Sequence, residues 1–500
     1  MCSDGSIQDR CQSRIIESAL LWRLLRNIGC LPEIQSRLMR YIERTDPVTT
    51  IERIIHRAVL TGQSQQAEAD AFLGGFEHLT GVRKKILLST LMTLTGACGI
   101  DQTAAGQKIE YRGHAVWTEL IMCAIKIIRD EATGESIPSD RQFLIALLRD
   151  YPRSRVWQGN ALAHLLGLHG LFAFAPHDPL LRAGVTALAS QLNFDGGVPF
   201  IVGQDIWMSA LAGMALTESG IAPDGASWLG EFIAGRQLAD GGWGYDRNTT
   251  QSDVDDTSRC LVFLHSLDAS KYADVLRSGL NYLTGMAGPD GGFPTYLRGD
   301  RSEPDLTAGA ALALAAGAPP RADAVRRAGL FLLSAQTADG SFDPSWTRSH
   351  SSVVAHVVSA LRGLREAGAI PAAQTEQAIS RSVRYLVQRQ NLDGGWGQRA
   401  GQASDAISTS HAIDAITGRA DARVLSRAVS NLLQQRDLDG FAAPPDQVGP
   451  RPIPYDFPIL ADIHVLSSLN RLHALAPGSD EISRRIDVRP NSARGAVLGH

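Results

Sequence analysis

The segment Gln237-Leu-Ala-Asp-Gly-Gly-Trp-Gly244 is one copy of a short phrase that recurs from residue 191 onward. Each copy holds an aspartate followed by one or two glycines and, in most copies, an aromatic residue. The aspartates are Asp195, Asp240, Asp290, Asp339, Asp393 and Asp439, at intervals of 45, 50, 49, 54 and 46 residues. A steady period near fifty residues is typical of a repeat architecture.

The stretches between these phrases have the apolar periodicity of helices. Apolar residues recur at three- and four-residue spacing over 206–218, 227–236, 257–267 and 273–283. The glycines suit the ends of the second helices, because glycine adopts the left-handed conformation without a Cβ clash. One helix pair cannot bury its own apolar face, so the pairs must stack as a solenoid or close into an α/α barrel. The sequence therefore predicts an all-α fold built from helix-pair repeats.

The first 150 residues carry no clear copy of the phrase but also read as helical. We predict helices over 15–26, 34–42, 51–60, 82–94, 117–129 and 141–148. We place an N-terminal α/α domain at residues 20–225 and a C-terminal α/α barrel at 226–478, and leave open whether residues 1–19 join the barrel. Residues 441–458 hold six prolines and should form an ordered, irregular crossing. The polar tail from residue 479 should be frayed.

Composition and charge exclude several classes of function. The 500 residues are 44% hydrophobic and 20% charged, and 48 Lys+Arg against 52 Asp+Glu give a formal net charge of −4, which offers no field for nucleic acid. Six scattered cysteines without metal-like pairing indicate reduced thiols. The N-terminus lacks an apolar signal region, and no stretch has the length of a membrane span. We expect a soluble, cytoplasmic protein that acts on a small molecule, without nucleic-acid or membrane-spanning partners.

The segment Asp253-Val-Asp255-Asp256-Thr257 carries the candidate chemistry. Acids at a helix start are common because the helix dipole favours them, and this structural role is the first interpretation. A cation-binding loop is a second one, but the glycine and spaced oxygens of an EF-hand are missing. In a dry cavity, three close carboxyl groups cannot all ionise, so at least one keeps its proton. A neutral carboxylic acid is the group that protonation of an alkene requires.

Together, these two motifs resemble those of the class II terpene cyclases. The recurring phrase is similar to the QW motif of squalene–hopene and related cyclases, and residues 253–257 look like their DxDDT motif. The resemblance covers roughly residues 190–475. It implies two α/α barrels, the β and γ domains of this family, with an active site between them. It also implies that a linear polyprenyl chain is cyclised by protonation of its terminal alkene. Asp255 would donate the proton, and Asp253 and Asp256 would orient it and keep it protonated.

Chain length and composition favour the branch of this family that acts on prenyl diphosphates. Triterpene cyclases usually have longer chains and aromatic-rich cavities, whereas this chain has only 8 Trp, 9 Tyr and 14 Phe. The resemblance implies that geranylgeranyl or farnesyl diphosphate becomes a bicyclic labdane- or drimane-type diphosphate. The diphosphate should survive, because Asp255-Asp256-Thr-Ser-Arg259 lacks the last acid of an ionising DDxxD cluster. A Tyr-Asp-Thr-Ala phrase carried by many diterpene cyclases is missing, so the substrate stays open.

Three alternatives remain at this point. The first is a squalene-type triterpene cyclase that needs no diphosphate, and a lesser one is a non-catalytic repeat scaffold. A protein prenyltransferase β-subunit shares the glycine–aromatic repeats, but it would need a zinc set with Asp and Cys two residues apart. Cys260, four residues after Asp256, does not provide that spacing.

A retained diphosphate would need basic partners and, by the resemblance, Mg²⁺. Arg298 and Arg301, after the third phrase, are the candidate substrate-binding residues, and Lys84 and Lys85 are weaker ones. The sequence does not identify the metal ligands. Three further side chains lie on segments that could face a cavity, but we assign them no catalytic role, since a lone histidine on a helix is more often a core residue. They are Trp346, His356 and His411.

Overall fold

The computed structural model describes residues 2–75, 81–99, 109–220, 222–317 and 321–474. Within these ranges the chain forms twenty α-helices and four two-residue strands. The strands are β1 (Ser13–Arg14), β2 (Val198–Pro199), β3 (Gln447–Val448) and β4 (Pro454–Tyr455). They form two antiparallel pairs, β1 with β2 and β3 with β4. The predicted all-α fold is confirmed.

The first nine helices make an N-terminal unit. They are α1 (Ile15–Ile28), α2 (Pro32–Arg44), α3 (Thr50–Thr61), α4 (Gln66–Gly74), α5 (Gly81–Leu94), α6 (Val116–Thr133), α7 (Pro138–Arg149), α8 (Ala161–Phe174) and α9 (Pro179–Ala189). Helix α8 packs on α6 and α1, and α5 contacts α1, α3 and α6. Helix α2 packs against α1, and α7 and α9 pack against α8. Each helix predicted here is present, with ends within about four residues of the predicted ones.

The remaining helices close a barrel. They are α10 (Asp205–Ser219), α11 (Pro223–Ala234), α12 (Val254–Asp268), α13 (Ala273–Met286), α14 (Pro304–Ala316), α15 (Ala322–Ala335), α16 (His350–Glu366), α17 (Ala372–Val387), α18 (Ala406–Ile416), α19 (Ala422–Gln434) and α20 (Ile459–Ala474). Each even-numbered helix packs on the next even-numbered one, and α20 returns to α10. The odd-numbered helices lie outside this ring, between its members. The pairs therefore close into an α/α barrel and do not form an open solenoid.

The helix packing places the boundary between the two units earlier in the chain than the sequence predicted. Helices α10 and α11 belong to the barrel, because α10 closes the inner ring against α20. The predicted division at 225/226 therefore falls one helix pair too late. The segment before α1 also reaches the barrel: Ile7 N–H donates to Ser209 Oγ at 2.9 Å, and the Arg14 guanidinium donates to the carbonyl oxygen of Gly449 at 2.8 Å. Helix α1 itself lies in the N-terminal unit.

The recurring phrase forms the same tight turn in successive repeats. Gly241, Gly291, Gly340 and Gly394 have φ of 86° to 94°. A Cβ at Gly241 would lie 2.6 Å from the carbonyl oxygen of Ser278 on the next outer helix, and the other three glycines meet equivalent carbonyls. The glycine is thus required by the turn and by the close approach of the neighbouring helix. In the same repeat, the Trp243 indole is fully buried and donates from Nε1 to Ile233 O at 2.8 Å.

Residues 441–458 are not helical, as predicted. They contain the β3–β4 pair and cross the barrel as irregular chain, half of it buried, between α19 and α20. The predicted fraying from residue 479 lies outside the described residues. Of the helices that the structure describes, none is long and apolar enough to cross a membrane.

Candidate active site

The repeat scaffold holds the first turn of α12, where the acidic motif lies. Trp243 N–H donates to Thr257 Oγ1, and Asp253 N–H donates to Trp243 O, each at 2.9 Å. The Asp253 side chain caps the helix, because its Oδ1 accepts from Asp256 N–H at 2.8 Å. The threonine and backbone bonds recur at the starts of α14 and α18, where Thr307 and Thr409 take the place of Thr257. Of these two helices, the side-chain cap recurs at α18 only. The motif is therefore built on a structural element that the barrel repeats.

The first turns of all six inner helices line one cavity, here called the central cavity. Its atom-free space, including the part open to solvent, is about 1160 Å³. The inner helices contribute Trp207, Asp255, Asp305, His356, His411 and His464. Trp117 of α6 and Phe200 close one side, and the 446–460 segment closes another. The cavity thus lies where the barrel meets the N-terminal unit.

The three motif carboxyls differ in exposure. All three residues line the central cavity, but Asp253 and Asp256 are only 2% and 5% exposed, whereas the side chain of Asp255 is 19% exposed. Burial raises the pKa of Asp253 to about 6 and that of Asp255 to about 8, and raises the pKa of Asp256 well above its ordinary value. For Asp255, the nearby Arg259 acts against this shift, while Asp305 and Asp253 add to it. The most exposed of the three carboxyls, that of Asp255, is therefore mostly protonated at neutral pH.

A second carboxyl in the same cavity has the opposite ionisation. Asp305 Oδ1 lies 2.5 Å from His356 Nδ1, and the guanidinium of Arg259 lies 3.2 Å from the same nitrogen. Burial alone would raise the pKa of Asp305, but His356 and Arg259 outweigh it and hold the pKa below its usual range. Arg259 Nε is 3.7 Å from Asp255 Oδ1. The pKa of Asp255 is raised and that of the neighbouring Asp305 is lowered. Asp255 therefore holds the proton, and Asp305 carries the negative charge.

The histidines of the inner ring contact one another beside this pair, one contact edge to face and the other tilted. The ring of His411 lies 5.2 Å from that of His356 and 4.5 Å from that of His464, measured between centroids. Burial lowers the pKa of His411 well below its ordinary value and that of His464 to about 3, and His356 and Arg259 add to both shifts. Both imidazoles are therefore neutral and present flat, uncharged surfaces to the cavity.

Aromatic side chains form much of the wall. Those that line the central cavity are Trp117, Phe200, Trp207, Tyr245, Tyr296, Trp346 and Tyr455. Tyr296 contacts Trp117 and Trp346 edge to face, each with centroids 6.1 Å apart. The cavity wall is therefore rich in aromatic residues, although the whole chain contains few of them. The electron-rich faces of these rings can stabilise a positive charge.

A second cavity adjoins the first and is rich in cations. This cationic cavity shares Trp117, Thr295, Tyr296, Trp346 and Pro450 with the central one. Its basic side chains are Arg83, Lys84, His114, Arg301 and Arg451, and its carboxylates are Asp300, Glu303 and Asp343. Burial and the two neighbouring guanidinium groups of Arg451 and Arg83 lower the pKa of Lys84 to about 7. Such mutual repulsion indicates a site whose positive charge an anion would relieve.

Some of the residues singled out in the sequence line a cavity, and others do not. Arg301 lines the cationic cavity, with its guanidinium 3.3 Å from Asp343, whereas Arg298 is exposed and lies outside the lining of both cavities. Lys84 lines the cationic cavity and Lys85 does not. Trp346, His356 and His411 face the central cavity. Residues that sequence reasoning missed include Asp305, Arg83 and Arg451, together with most of the aromatic wall.

The described residues offer no complete metal cage. No group of three histidine, cysteine, aspartate or glutamate side chains among them could hold a metal ion. Cys260 is buried in α12, and burial raises the pKa of its thiol well above the ordinary value. The zinc set of a protein prenyltransferase therefore has no counterpart in the described part of the chain.

Comparison with known proteins gives matches of three kinds: a family model, curated relatives and a solved structure. The model of the squalene-hopene cyclase C-terminal domain matches residues 299–457. The drimenyl diphosphate synthase of Streptomyces showdoensis is 34% identical over 498 residues, covering 96% of this chain and 92% of that protein. Its namesake in Streptantibioticus cattleyicolor is 36% identical, covering 95% of this chain and 92% of that protein. The solved ent-copalyl diphosphate synthase from Streptomyces platensis shares the fold, with a TM-score of 0.58, 15% identity and coverage of 93% and 96%.

Proposed function

The chain belongs to the class II terpene cyclases, in the family of the drimenyl diphosphate synthases, and on that premise we propose that it closes farnesyl diphosphate to a drimane-type bicyclic diphosphate. One observation supports this best. A neutral carboxyl, Asp255, lines an aromatic cavity that adjoins a cationic one. Membership of an enzyme family also argues against the alternative of a non-catalytic scaffold.

In this proposal, Asp255 starts the reaction. Its proton is transferred to the terminal carbon of the prenyl chain, the alkene electron pair forms the new C–H bond, and a tertiary cation remains. Burial keeps Asp255 protonated, and the negative charges of Asp305 and Asp253 add to this effect. In this proposal Asp256, which Asp253 caps, helps to orient Asp255. Arg259 lies near enough to stabilise the carboxylate that Asp255 leaves behind.

The side chains that line the central cavity then guide ring closure. The neighbouring alkenes attack the cation in turn and form two carbon–carbon bonds. The faces of Trp207, Tyr245 and Tyr296 line this path and stabilise the moving charge. Loss of a proton from the bicyclic cation gives an alkene, so that substrate and product have the same composition.

The cationic cavity would hold the diphosphate throughout. Guanidinium groups bind phosphate oxygens with paired, charge-assisted hydrogen bonds, and Arg83, Arg301 and Arg451 offer such groups. Binding there fixes one end of the prenyl chain and leaves the other to reach Asp255. This cavity also favours a diphosphate substrate over squalene, which carries no charge.

We include Mg²⁺ in the proposal. Mg²⁺ is usually held by one or two carboxylates together with phosphate oxygens and water. Asp300, Glu303 and Asp343 line the cationic cavity and fit such a partial set, although Asp343 already pairs with Arg301. When bound, the ion would neutralise phosphate charge. A cytoplasmic location stays a prediction.

The proposed function is tested with three substrates side by side, each with Mg²⁺ and with EDTA. We expect farnesyl diphosphate to give a bicyclic diphosphate of unchanged mass, identified as the alcohol after phosphatase treatment. Geranylgeranyl diphosphate should react more slowly and squalene not at all, and EDTA should slow the reaction. In D₂O the product should gain one deuterium from the acid. Consumption of squalene or release of inorganic diphosphate would contradict the proposal.

The rate should fall on the alkaline side because the reacting form of Asp255 is the protonated one. Its pKa of about 8 predicts a tenfold loss of kcat per pH unit well above pH 8. The measurement is kcat at saturating farnesyl diphosphate from pH 6 to 10, with circular dichroism as a check of folding. Saturation matters because deprotonation of Lys84, with a pKa of about 7, should act on KM. A kcat that still rises at pH 10 would rule out Asp255 as the acid.

A further inference from the structure

Asp456 lies between two cavities. It lines the central cavity and also a separate hollow, the side cavity, on the far side of the 446–460 segment. The residue is only 5% exposed. The side cavity opens on the surface, since Gln12, Asp437 and Asp439, which also line it, are exposed. Asp456 therefore separates the proposed place of cyclisation from solvent.

The N-terminal segment fixes Asp456 in this place. Gln12 N–H donates to Asp456 O, and Asp9 Oδ2 accepts from Ile459 N–H, each at 2.9 Å. Burial raises the pKa of Asp456 to about 7, and the nearby carboxylates of Asp9 and Asp446 add to the shift. The other titratable groups of the side cavity are Asp437, Asp439 and Asp462. A carboxyl with a pKa near neutral pH can both accept and release a proton under working conditions.

Other candidates in the central cavity are less suited to accept a proton. Asp446 already accepts hydrogen bonds at both oxygens, from the Thr347 hydroxyl and from Ser349 N–H. His411 and His464 lie near the cationic groups of Arg259 and Arg471, which oppose a further positive charge.

We propose that Asp456 is the general base that ends the cyclisation, an inference that rests on the proposed function. The C–H bond next to the cationic carbon breaks, its electron pair becomes the C=C bond, and the proton moves to an Asp456 carboxylate oxygen. Asp456 then releases the proton to water in the side cavity. One proton thus enters through Asp255 and one leaves through Asp456, so the balance of the isomerisation is kept.

The test is the product distribution of Asp456→Asn with farnesyl diphosphate. Protonation by Asp255 still occurs, but the cation has lost its base. We expect kcat to fall more than about tenfold and the single alkene to be replaced by a mixture of alkene isomers and a product heavier by one water. Asp405→Asn is the matched control: Asp405 is also buried, burial raises its pKa, and it lies outside the lining of both cavities. Asparagine is also a good helix cap, so this control should fold and keep the wild-type product.

Several outcomes would overturn the inference. An unchanged kcat and product, or a slower reaction with the wild-type product alone, would show that Asp456 has no role as a base. If Asp456→Asn is unfolded by circular dichroism, Asp456→Glu decides, because a displaced carboxylate should change the ratio of alkene isomers, and a wild-type ratio would overturn the inference. If the wild-type protein consumes no prenyl diphosphate, the proposed function fails and this inference falls with it.

Discussion

Asp255→Asn should abolish cyclisation while leaving the fold and substrate binding intact. Removal of a general acid typically lowers the rate by about 10²- to 10⁴-fold. Among the carboxyls of the motif, Asp255 is the protonated one that is most exposed to the central cavity. We expect kcat to fall by at least about a hundredfold and KM to change little, because Asp255 lies outside the lining of the cationic cavity, where the diphosphate is proposed to bind. The measurement is steady-state turnover of farnesyl diphosphate with product analysis by mass spectrometry.

The same variant should be at least as stable as the wild type. The pKa of Asp255 is raised in the folded state, so the wild-type protein loses stability as the pH rises from about 4 to about 8. Asparagine is neutral and similar in shape, and it escapes this loss. Asp274→Asn, on the exposed face of α13, is the control and should behave as wild type. If Asp255→Asn turned over at more than a tenth of the wild-type rate, another group would be the proton donor.

The barrel was predictable because its determinants are local and repeated. The glycine that ends each turn, the aspartate beside it and the threonine of the following helix all lie within about twenty residues of one another. Gly241 and Thr257 illustrate this, since both contact the same turn around Trp243. A pattern of this kind is visible without knowledge of distant contacts. The division between the units was misplaced because closure of α10 on α20 joins residues about 250 positions apart.

The cavity walls could not be predicted from spacing. Trp117, Phe200 and Tyr455 meet in the central cavity, although they are far apart in the chain. Arg83 and Arg451 come together across the two helical units in the same way. Composition was misleading here because the wall depends on where a few aromatic residues lie and not on how many the chain contains.

Asp305 shows a signal that was present but not used. The segment Glu303-Pro-Asp305-Leu-Thr307 follows the acidic motif by fifty residues, with an acid in the cap position, a second acid two residues later and threonine at the end. It is a reduced copy of the motif in the next repeat, which places Asp305 beside Asp255. The repeat could have located this residue, but its negative charge depends on His356 from the following inner helix.

Arg451→Ala should raise the KM for the prenyl diphosphate, with a smaller effect on kcat. Arg451 lines the cationic cavity, lies over the Trp346 ring with its guanidinium carbon 4.6 Å from the centroid, and pairs with Glu303 at 3.2 Å. A hydrogen bond to a charged group contributes about 1.5–3 kcal/mol, which corresponds to a change of about 10- to 150-fold. The measurement is KM for farnesyl diphosphate, supported by the affinity for inorganic diphosphate.

Two further variants separate binding of the diphosphate from a general loss of charge. Arg298→Ala removes the same charge from an exposed position outside both cavities and should leave KM unchanged. Arg451→Lys keeps the charge but loses the planar fork, and it should restore only part of the affinity because a single ammonium cannot make paired bonds to phosphate oxygens. If Arg298→Ala and Arg451→Ala raised KM equally, binding of the diphosphate would depend on the overall positive charge of the protein and not on the cationic cavity. A large effect of Arg451→Ala alone would place the diphosphate there, with the prenyl chain extending past Tyr296 toward Asp255.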